Sequence, residues 1–573
     1  MNQSAPLPAS GRVPGRARTI AFWVVVGVLL GAHLLLGMRT ITALSLTFDE
    51  TTHLAAGYIY LRTGNYRLNT LNQPPAAEMW AALPLLALKP EIPEGQPGLS
   101  DDVQTLEYSY CDRFIYRNNV DPDLLLNAGR MMILVLSLLL GLLLFVWSRA
   151  LFGNGAALAC LALWAFFPPF LAHGTLVTID MALTLGFTAT LYLAWRWWRA
   201  HLEQRLGWRE TIVVGLSVGL VLAVKYSGVI VLPVLGFLFA AGLLTKGLRP
   251  RRAITQGLAA GFVALFALLV VYQFRPLTLW FWPGFRHVFE GTFGGRPTFF
   301  LGKHFAEGVP SYFPVMFLLK TPLPAILVFV LAAFRRRLWT RDLSLFILFP
   351  ALLYFSVACL AKMNIGHRHI LPVYPFLMIW ASGLASLPLP SRRAVRQPVL
   401  VLVGLLSAWY AFGTLRAHPW HLSYFNELIG SQDRGYLYAT DSSVDWGQGL
   451  RALSAYVRRE RIDGIYLSYF GSADPAYYGI RYLPLVFVDG LTPEYFQEAR
   501  HGDPTIATQS RIVLAVSATN LQGTYFTDQG FFAFLKPLTP DAVVADSILV
   551  YDLDRHPEQK RYFLQLLGAP GAN

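Results

Sequence analysis

Long apolar runs, separated by short polar segments, make up most of the chain before residue 416. An α-helix needs roughly 20 apolar residues to cross a bilayer, and about eleven runs approach or reach that length. They lie at roughly 20–43, 124–147, 155–172, 180–198, 211–226, 228–245, 253–273, 313–333, 343–361, 369–388 and 398–415. The pattern predicts a mainly α-helical, multi-pass membrane protein with about 11 transmembrane helices.

The positive charges predict how these helices are oriented. Clusters of Arg and Lys follow every second run, and cytoplasmic loops are the ones that carry such clusters. The clusters are Arg12/Arg16/Arg18, Arg149, Arg196/Arg199/Arg205/Arg209, Lys246/Arg249/Arg251/Arg252, Arg335/Arg336/Arg337/Arg341 and Arg392/Arg393/Arg396. Residues 1–19 are therefore predicted to be a cytoplasmic tail that precedes an uncleaved signal anchor. The remaining segments, at 44–123, 173–179, 274–312, 362–368 and after about 416, then share the extracytoplasmic side.

Composition and charge agree with a membrane protein. Of the 573 residues, 54% are hydrophobic and only 14% are charged, which excludes a water-soluble enzyme of this length. The net charge of +13 is distributed in short clusters between apolar runs, so it indicates contact with anionic lipids and no nucleic-acid partner. The three cysteines are scattered, and neither a disulfide framework nor a cysteine metal site is predicted.

Two parts of the chain have a different character from the transmembrane domain at 20–415. Within the extracytoplasmic loop 44–123, apolar and polar residues segregate at helical spacing at 51–62 and 76–88, which predicts interfacial helices. From 416 to 573 the long apolar runs stop, and strand patterns at 464–469, 485–489, 512–517 and 547–552 alternate with helical patterns at 447–460, 492–500 and 556–567. This part is predicted to be a soluble, extracytoplasmic α/β domain.

The first candidate for chemistry is the acidic pair Asp49 and Glu50, directly after the first apolar run. A carboxylate at the mouth of a membrane helix is costly to desolvate and often marks a functional site. If the following segment is helical, Asp49 shares a face with His53, whereas Glu50 points elsewhere, so replacing Glu50 should matter less. The alternative is that these acids only cap a juxtamembrane helix.

Cationic residues on the same side of the membrane suggest an anionic ligand. Lys303 lies in the loop 274–312, and the segment 362–369 contains His367 and Arg368. Topology does not explain positive residues on this side, whereas phosphate oxygens are usual partners of Arg and Lys. A sugar joined to a lipid phosphate combines such a head group with a membrane anchor.

This chemistry requires only one carboxylate. Phosphate is already a good leaving group, so no acid is needed to protonate it, in contrast to glycoside hydrolysis. A single base, here Asp49, would take the proton from the acceptor hydroxyl. Attack opposite the phosphate would invert the anomeric carbon.

Several motifs carry a resemblance to a known family. They are FDETTH with the following GNY and QPP, HGTLVTID, KYSG, YFPVMFLLKTPLP, NIGHRHILPVYPF, HPWHLSYFNELIG and DSSVDWGQGL. Together they resemble the bacterial polyprenyl-phosphate-sugar-dependent glycosyltransferases, which are similar to protein O-mannosyltransferases and aminoarabinose transferases of the membrane-embedded GT-C fold. The resemblance implies a bacterial inner-membrane enzyme with a periplasmic active site and a glycan, lipid or protein acceptor.

The resemblance also implies roles for individual residues. It makes Asp49 the catalytic base and Asp180 a second catalytic residue, with His367 and Arg368 near the carrier phosphate. Further substrate-binding candidates are Glu50, His53, the motif residues Lys225, Lys320 and Tyr374, and the loop cation Lys303. Gln73 stands where the family usually has His, which weakens any role for that side chain.

Three alternatives stay open. A flippase or another non-catalytic lipid-phosphate-binding protein would distribute its polar residues near the midplane, with repeat symmetry, whereas here they collect on one side. Asp49, His53 and Asp180 would suit a divalent metal, but the first loop has no compact acidic pair. The enzyme is therefore expected to use the lipid-linked sugar as its donor substrate without a cofactor. DSSVDWGQGL is either a ligand-binding loop or a helix start, with Ser443 as the cap and Trp446 packed beneath it.

Overall fold

The computed structural model describes residues 16–95, 103–205, 207–245, 248–485 and 502–567. The first part of the described chain contains α1 (Arg16–Ala43), α2 (Glu50–Thr63), α3 (Ala76–Ala82), α4 (Leu85–Leu88), α5 (Val103–Tyr116) and α6 (Pro122–Phe152). The middle of the chain contains α7 (Asn154–Ala165), α8 (Pro168–His173), α9 (Asp180–Leu202), α10 (Trp208–Val224), α11 (Val231–Leu244), α12 (Pro250–Val271), α13 (Leu277–Trp280) and α14 (Trp282–Gly294).

The remaining helices of the membrane part follow a short antiparallel hairpin of β1 (Thr298–Phe300) and β2 (Lys303–Phe305). They are α15 (Tyr312–Lys320), α16 (Leu323–Ala333), α17 (Arg341–Leu343), α18 (Phe349–Leu360), α19 (Tyr374–Ser382) and α20 (Arg393–Ala417). A 3₁₀ segment, His367–Val373, leads directly into α19.

The chain is a mainly helical, multi-pass membrane protein. In the described part, seven helical stretches are long and apolar enough to span a bilayer, and an eighth is obtained if α15 and α16 count as one broken span. These two helices meet at 112°, at Thr321 and Pro322. Proline lacks the N–H that would continue the helix. The predicted number of about eleven is not confirmed: α7 and α10 are only 12 and 17 residues long, and α9, with 23 residues, is not among the seven apolar stretches.

Close helix packing explains two glycines of α10. A side chain on Gly215 or Gly219 would lie 2.5 or 2.4 Å from the carbonyl oxygen of Ala260 or Ala264 in α12. Small residues four positions apart let two membrane helices approach this closely. The backbones of α10 and α12 are thus in close contact at these two glycines.

The predicted interfacial helices are found as helices, but one of them is not at a surface. The stretch 51–62 corresponds to α2, in which residues 50–60 are buried. The stretch 76–88 corresponds to α3 and α4. Protein, not lipid head groups, therefore encloses α2, which holds the residues that follow Asp49 in a fixed place.

Beyond α20 the chain forms a five-stranded sheet with the order β4-β3-β5-β7-β6. Its strands are β3 (Ile465–Ser468), β4 (Tyr482–Pro484), β5 (Val513–Ser517), β6 (Ala542–Val544) and β7 (Ile548–Asp552), accompanied by α21 (Leu450–Arg459), α22 (Ala518–Leu521) and α23 (Pro557–Leu566). β3 pairs in parallel with β4 and β5, and the other pairs are antiparallel.

The sheet tests the strand predictions. Those at 464–469, 512–517 and 547–552 are confirmed by β3, β5 and β7. The helical patterns at 447–460 and 556–567 are likewise confirmed by α21 and α23. Of the strand predicted at 485–489 only Leu485 is described, and the helix predicted at 492–500 lies outside the described residues.

Candidate active site

Asp49 lies in the turn between α1 and α2, with its side chain 31% exposed. It occupies the N-cap position of α2, but its side chain makes no capping hydrogen bond. Instead its Oδ2 accepts a hydrogen bond of 3.1 Å from Nη1 of Arg368. The helix-cap alternative therefore does not describe the carboxylate, which faces the cationic segment 319 positions later in the chain.

Arg368 connects both predicted catalytic acids. Its Nη1 lies 3.1 Å from Asp49 Oδ2 and 3.6 Å from Asp180 Oδ2. The guanidinium is mostly buried, and its Nε has no hydrogen-bond partner among the described residues. An unpaired donor of this kind is costly in a buried place and is therefore a ready contact for an anion.

Asp180, the first residue of α9, is almost completely enclosed. Its Oδ1 accepts a hydrogen bond of 2.6 Å from Nζ of Lys225, just after α10. His173 and His369 also lie close enough to interact with this carboxylate electrostatically. Because Lys225 and Arg368 flank Asp180 while Asp49 remains partly open, Asp49 is the better placed of the two to contact a substrate.

The position of Glu50 does not fit its predicted role in substrate binding. Its Oε1 accepts from Arg130 Nε at 2.8 Å and Val177 N at 2.7 Å, and its Oε2 accepts from Arg130 Nη2 at 2.6 Å. Thr47 donates to Oε2 through both its backbone N–H and its hydroxyl. Both oxygens are thus occupied by protein, in a pair that is fully buried.

Arg130 also distributes its remaining donors over the end of α1. It donates to the carbonyl oxygens of Ile41, Leu44 and Ser45 at 2.8 to 3.0 Å. The pair therefore fixes the backbone on one side of Asp49 and, through Val177, the segment that leads to Asp180. Arg130 cannot be recognised as the partner of Glu50 from the sequence, because it lies inside the apolar run 124–147.

His53 shares the buried side of α2 with a second acid. A hydrogen bond of 2.7 Å joins His53 Nδ1 to Glu78 Oε1, which also accepts from Asn69 Nδ2 at 2.5 Å. Burial raises the pKa of Glu78, while His53 and Asn69 oppose that rise. His53 thus binds another residue of the same loop, 44–123, and lies close enough to Asp49 and Arg368 to interact with them electrostatically.

Three other predicted residues, Lys320, His367 and Tyr374, are held by hydrogen bonds to other parts of the protein. The Nζ of Lys320 donates to the carbonyl oxygens of Leu422 and Ser443 at 2.8 and 2.5 Å. His367 Nε2 is hydrogen-bonded to the Tyr374 hydroxyl at 2.7 Å, and that hydroxyl also meets Thr321 at 2.8 Å. Lys320, His367 and Tyr374 are all buried by these contacts. Lys303, by contrast, is exposed in the hairpin strand β2.

The structure contradicts the helix-start description of the segment DSSVDWGQGL, whereas the ligand-binding-loop description stays a prediction. Helix α21 begins at Leu450 with Gly449 as N-cap, so Ser443 does not cap it. The Ser443 hydroxyl instead accepts from the backbone N–H of His367 at 3.1 Å. The Trp446 ring lies under Arg368, whose Cζ is 4.0 Å from the ring centroid. The motif can be recognised in the sequence, but the contact of Trp446 with Arg368 cannot.

Asp445, in the same segment, provides a pH test of the C-terminal part. Burial raises its pKa to about 7, against hydrogen bonds from Thr519 and Gly447. Between an unfolded carboxyl pKa near 4 and that value, the folded chain holds a proton which the unfolded chain has released, so stability falls as pH rises.

We therefore expect Asp445→Asn to flatten this dependence. In detergent, its free energy of unfolding should fall less than that of the parent protein between pH 4.5 and 8. The two slopes should differ by at most about 1.4 kcal/mol per pH unit. Equal slopes for the two proteins would show that Asp445 does not titrate in this range.

A metal site does not emerge from the donor set. In the described ranges, no three or more His, Cys, Asp or Glu side chains converge in a way that could hold a metal ion. The expected independence from metals stays a prediction.

Comparison with known proteins gives one family match. Residues 125–273 match the family described as dolichyl-phosphate-mannose-protein mannosyltransferase. No curated protein matches the chain. ArnT from Cupriavidus metallidurans in the apo state shares 14% identity at a TM-score of 0.49, over 93% of this chain and 98% of that chain.

Two further solved structures are similar. ArnT bound to undecaprenyl phosphate gives 14% identity and a TM-score of 0.46, over 94% of this chain and 98% of that chain. The archaeal oligosaccharyltransferase AglB from Archaeoglobus fulgidus, in complex with an inhibitory peptide and a dolichol-phosphate, gives 12% and 0.43, over 76% of this chain and 58% of that chain. The family match confirms, for residues 125–273, the similarity to lipid-phosphate-dependent sugar transferases that the motifs predict.

Proposed function

We propose that the protein is an inverting glycosyltransferase of the bacterial inner membrane. It moves a sugar from a polyprenyl-phosphate carrier to an acceptor hydroxyl at the periplasmic face, with Asp49 as the general base. The family match over residues 125–273 supports a sugar donor linked to a lipid phosphate. The alternating Arg clusters support the periplasmic orientation of the site and of residues 416–573.

The observation that carries the proposal is the cluster of Asp49, Arg368, Asp180 and Lys225. It places one partly exposed carboxylate against a guanidinium, beside a buried carboxylate that is already neutralised by a lysine. Such an arrangement offers a base and an anion-binding cation within one site. The proposed transfer from phosphate does not require a second carboxylic acid as a proton donor.

In the proposed reaction, Asp49 accepts the proton of the acceptor hydroxyl as its oxygen attacks the anomeric carbon. The bond from that carbon to the phosphate oxygen breaks, and the lipid phosphate leaves with the electron pair. The unpaired Nε–H of Arg368 is the donor available to hold that phosphate. Lys225 binds one oxygen of Asp180, and the other oxygen faces Arg368 and holds its guanidinium in place.

A transfer assay tests the proposal. The purified protein, reconstituted in vesicles, should consume radiolabelled polyprenyl-phosphate sugars and yield free polyprenyl phosphate together with a labelled acceptor fraction from bacterial envelopes. A chelator should leave the rate unchanged, since no metal step is proposed. If the labelled lipid instead crosses the bilayer intact, the protein is a transporter, and the proposal fails.

Arg368→Ala is expected to weaken donor binding by about 1.5–3 kcal/mol, since one charge-assisted hydrogen bond to phosphate is lost. Arg481→Ala is the matched control, because that arginine is exposed and pairs with Asp503, outside the cluster. Titration of each purified variant with a polyprenyl phosphate measures the difference. Equal affinities for the Arg368 variant and the parent protein would locate the phosphate elsewhere.

A further inference from the structure

The segment Thr440–Gln448 belongs to the C-terminal part of the chain but lies between two loops of the membrane part. On one side it pairs with the residues just before Asp49. Ser45 N donates to Gln448 O at 3.1 Å, and Phe48 N donates to Trp446 O at 2.9 Å. The Ser45 hydroxyl adds a bond of 2.9 Å to Gly447 O. The backbone that enters Asp49 is therefore held by this segment.

On its other side the segment holds the residues just before Arg368. The Ser442 hydroxyl donates to Ile365 O at 2.8 Å, and His367 N donates to the Ser443 hydroxyl at 3.1 Å. A Cβ atom on Gly366 would lie 2.0 Å from the Ser442 hydroxyl oxygen, so the backbone at Gly366 is in close contact with the Ser442 side chain. One short segment thus binds the loops of both the base and the cation.

Trp446 then reaches Arg368 directly. Its ring centroid lies 4.0 Å from the guanidinium carbon, within the range in which a cation is attracted to an indole face. The ring is 2% exposed and packs with Leu44, Leu176 and Phe470. It is therefore a rigid support for the guanidinium, whose Nη1 faces Asp49 and Asp180.

Asp441 shows that this segment is held under strain. Its φ is +55°, a left-handed conformation that costs free energy for a residue other than glycine. Its carboxylate accepts from Ser442 N at 2.5 Å and from the Tyr525 hydroxyl, and its backbone N–H donates to the Thr519 hydroxyl at 3.0 Å. Residues from beyond β5 thus maintain the conformation of the segment.

We infer that Thr440–Gln448 assembles the site, with Trp446 as a positioning residue that aims Arg368 at the carrier phosphate. This inference rests on the proposed function. It gives the C-terminal part of the chain an indirect role in binding the donor, through the guanidinium that it supports. Trp446 does not touch the substrate itself.

A double-mutant cycle tests the inference, with farnesyl phosphate as the probe of the full-length protein in detergent. Trp446→Leu should lower its affinity about 3- to 30-fold, since the support of the cation by the ring is lost. Trp446→Phe should lower it less. In an Arg368→Ala background, Trp446→Leu should have no further effect, because Trp446 acts only through Arg368.

Phe563→Leu serves as the control, since that ring packs on Tyr466 in the C-terminal part, away from the segment. It should lower stability without lowering the affinity for farnesyl phosphate. A loss of affinity that is equal with and without Arg368, or no loss at all, would overturn the inference while leaving the proposed function intact. If Trp446→Leu does not fold, the same criterion applies to Trp446→Phe. Failure of the parent protein to bind farnesyl phosphate would overturn the inference together with the phosphate site on which it rests.

Discussion

Asp49→Asn is expected to lower turnover by about 10²–10⁴-fold, the usual contribution of a general base. Asparagine keeps the size of the side chain and an oxygen for the hydrogen bond from Arg368, but it cannot accept the proton of the acceptor. The variant should therefore remain folded and should still bind the lipid phosphate. Single-turnover rates with a polyprenyl-phosphate sugar, beside the affinity for polyprenyl phosphate, separate these two properties.

Two other aspartates make this experiment specific. Asp123→Asn is the matched control, because that carboxylate is also paired with an arginine, Arg451, but outside the cluster. Its turnover should stay close to that of the parent protein. If Asp49→Asn turns over normally and Asp180→Asn does not, Asp180 is the base, and Lys225 would have to release it.

Arg130→Met is expected to destabilise the protein by about 3–5 kcal/mol, because it leaves Glu50 buried without its partner. The carbonyl oxygens of Ile41, Leu44 and Ser45 lose their donors as well. The double variant Glu50→Leu with Arg130→Met should be more stable than the sum of the two single changes predicts, since no unpaired charge remains. Thermal unfolding in detergent measures all three proteins.

The control for this pair is Arg451→Met, which breaks a partly exposed ion pair with Asp123. Exposed pairs contribute only about 0–1 kcal/mol, so this change should be mild. If Arg130→Met were as stable as Arg451→Met and yet inactive, Glu50 would act on the substrate, as the sequence predicts. The structure instead assigns Glu50 to the framework around Asp49, so its replacement should cost more than the sequence pattern suggested.

Hydropathy and charge determined much of the architecture without any knowledge of the fold. An apolar run that is long enough to cross the bilayer forms a helix, because the hydrocarbon offers the backbone no hydrogen-bond partner. The helices α1, α6 and α12 follow this rule. Alternation of apolar residues likewise revealed β3, β5 and β7. Periodicity was less informative where a proline broke a run, as between α15 and α16.

The candidate site was partly visible in the sequence for a related reason. Charged residues are rare in such a chain, so Asp49, Asp180 and Arg368 stood out at the ends of apolar runs. Their meeting within one cluster joins positions as far apart as 319 residues, and no local pattern encodes a contact of that range.

Only the tertiary structure decided which charged residues serve the site and which serve the fold. Glu50 adjoins Asp49 in the sequence, yet Arg130, 80 positions later, neutralises it. Trp446 resembled a residue packed beneath a helix, yet it supports Arg368. A carboxylate or an aromatic ring has the same local sequence signal in either role, because the role depends on which partner the fold brings within a few ångströms, and that partner is chosen by the packing of the whole chain.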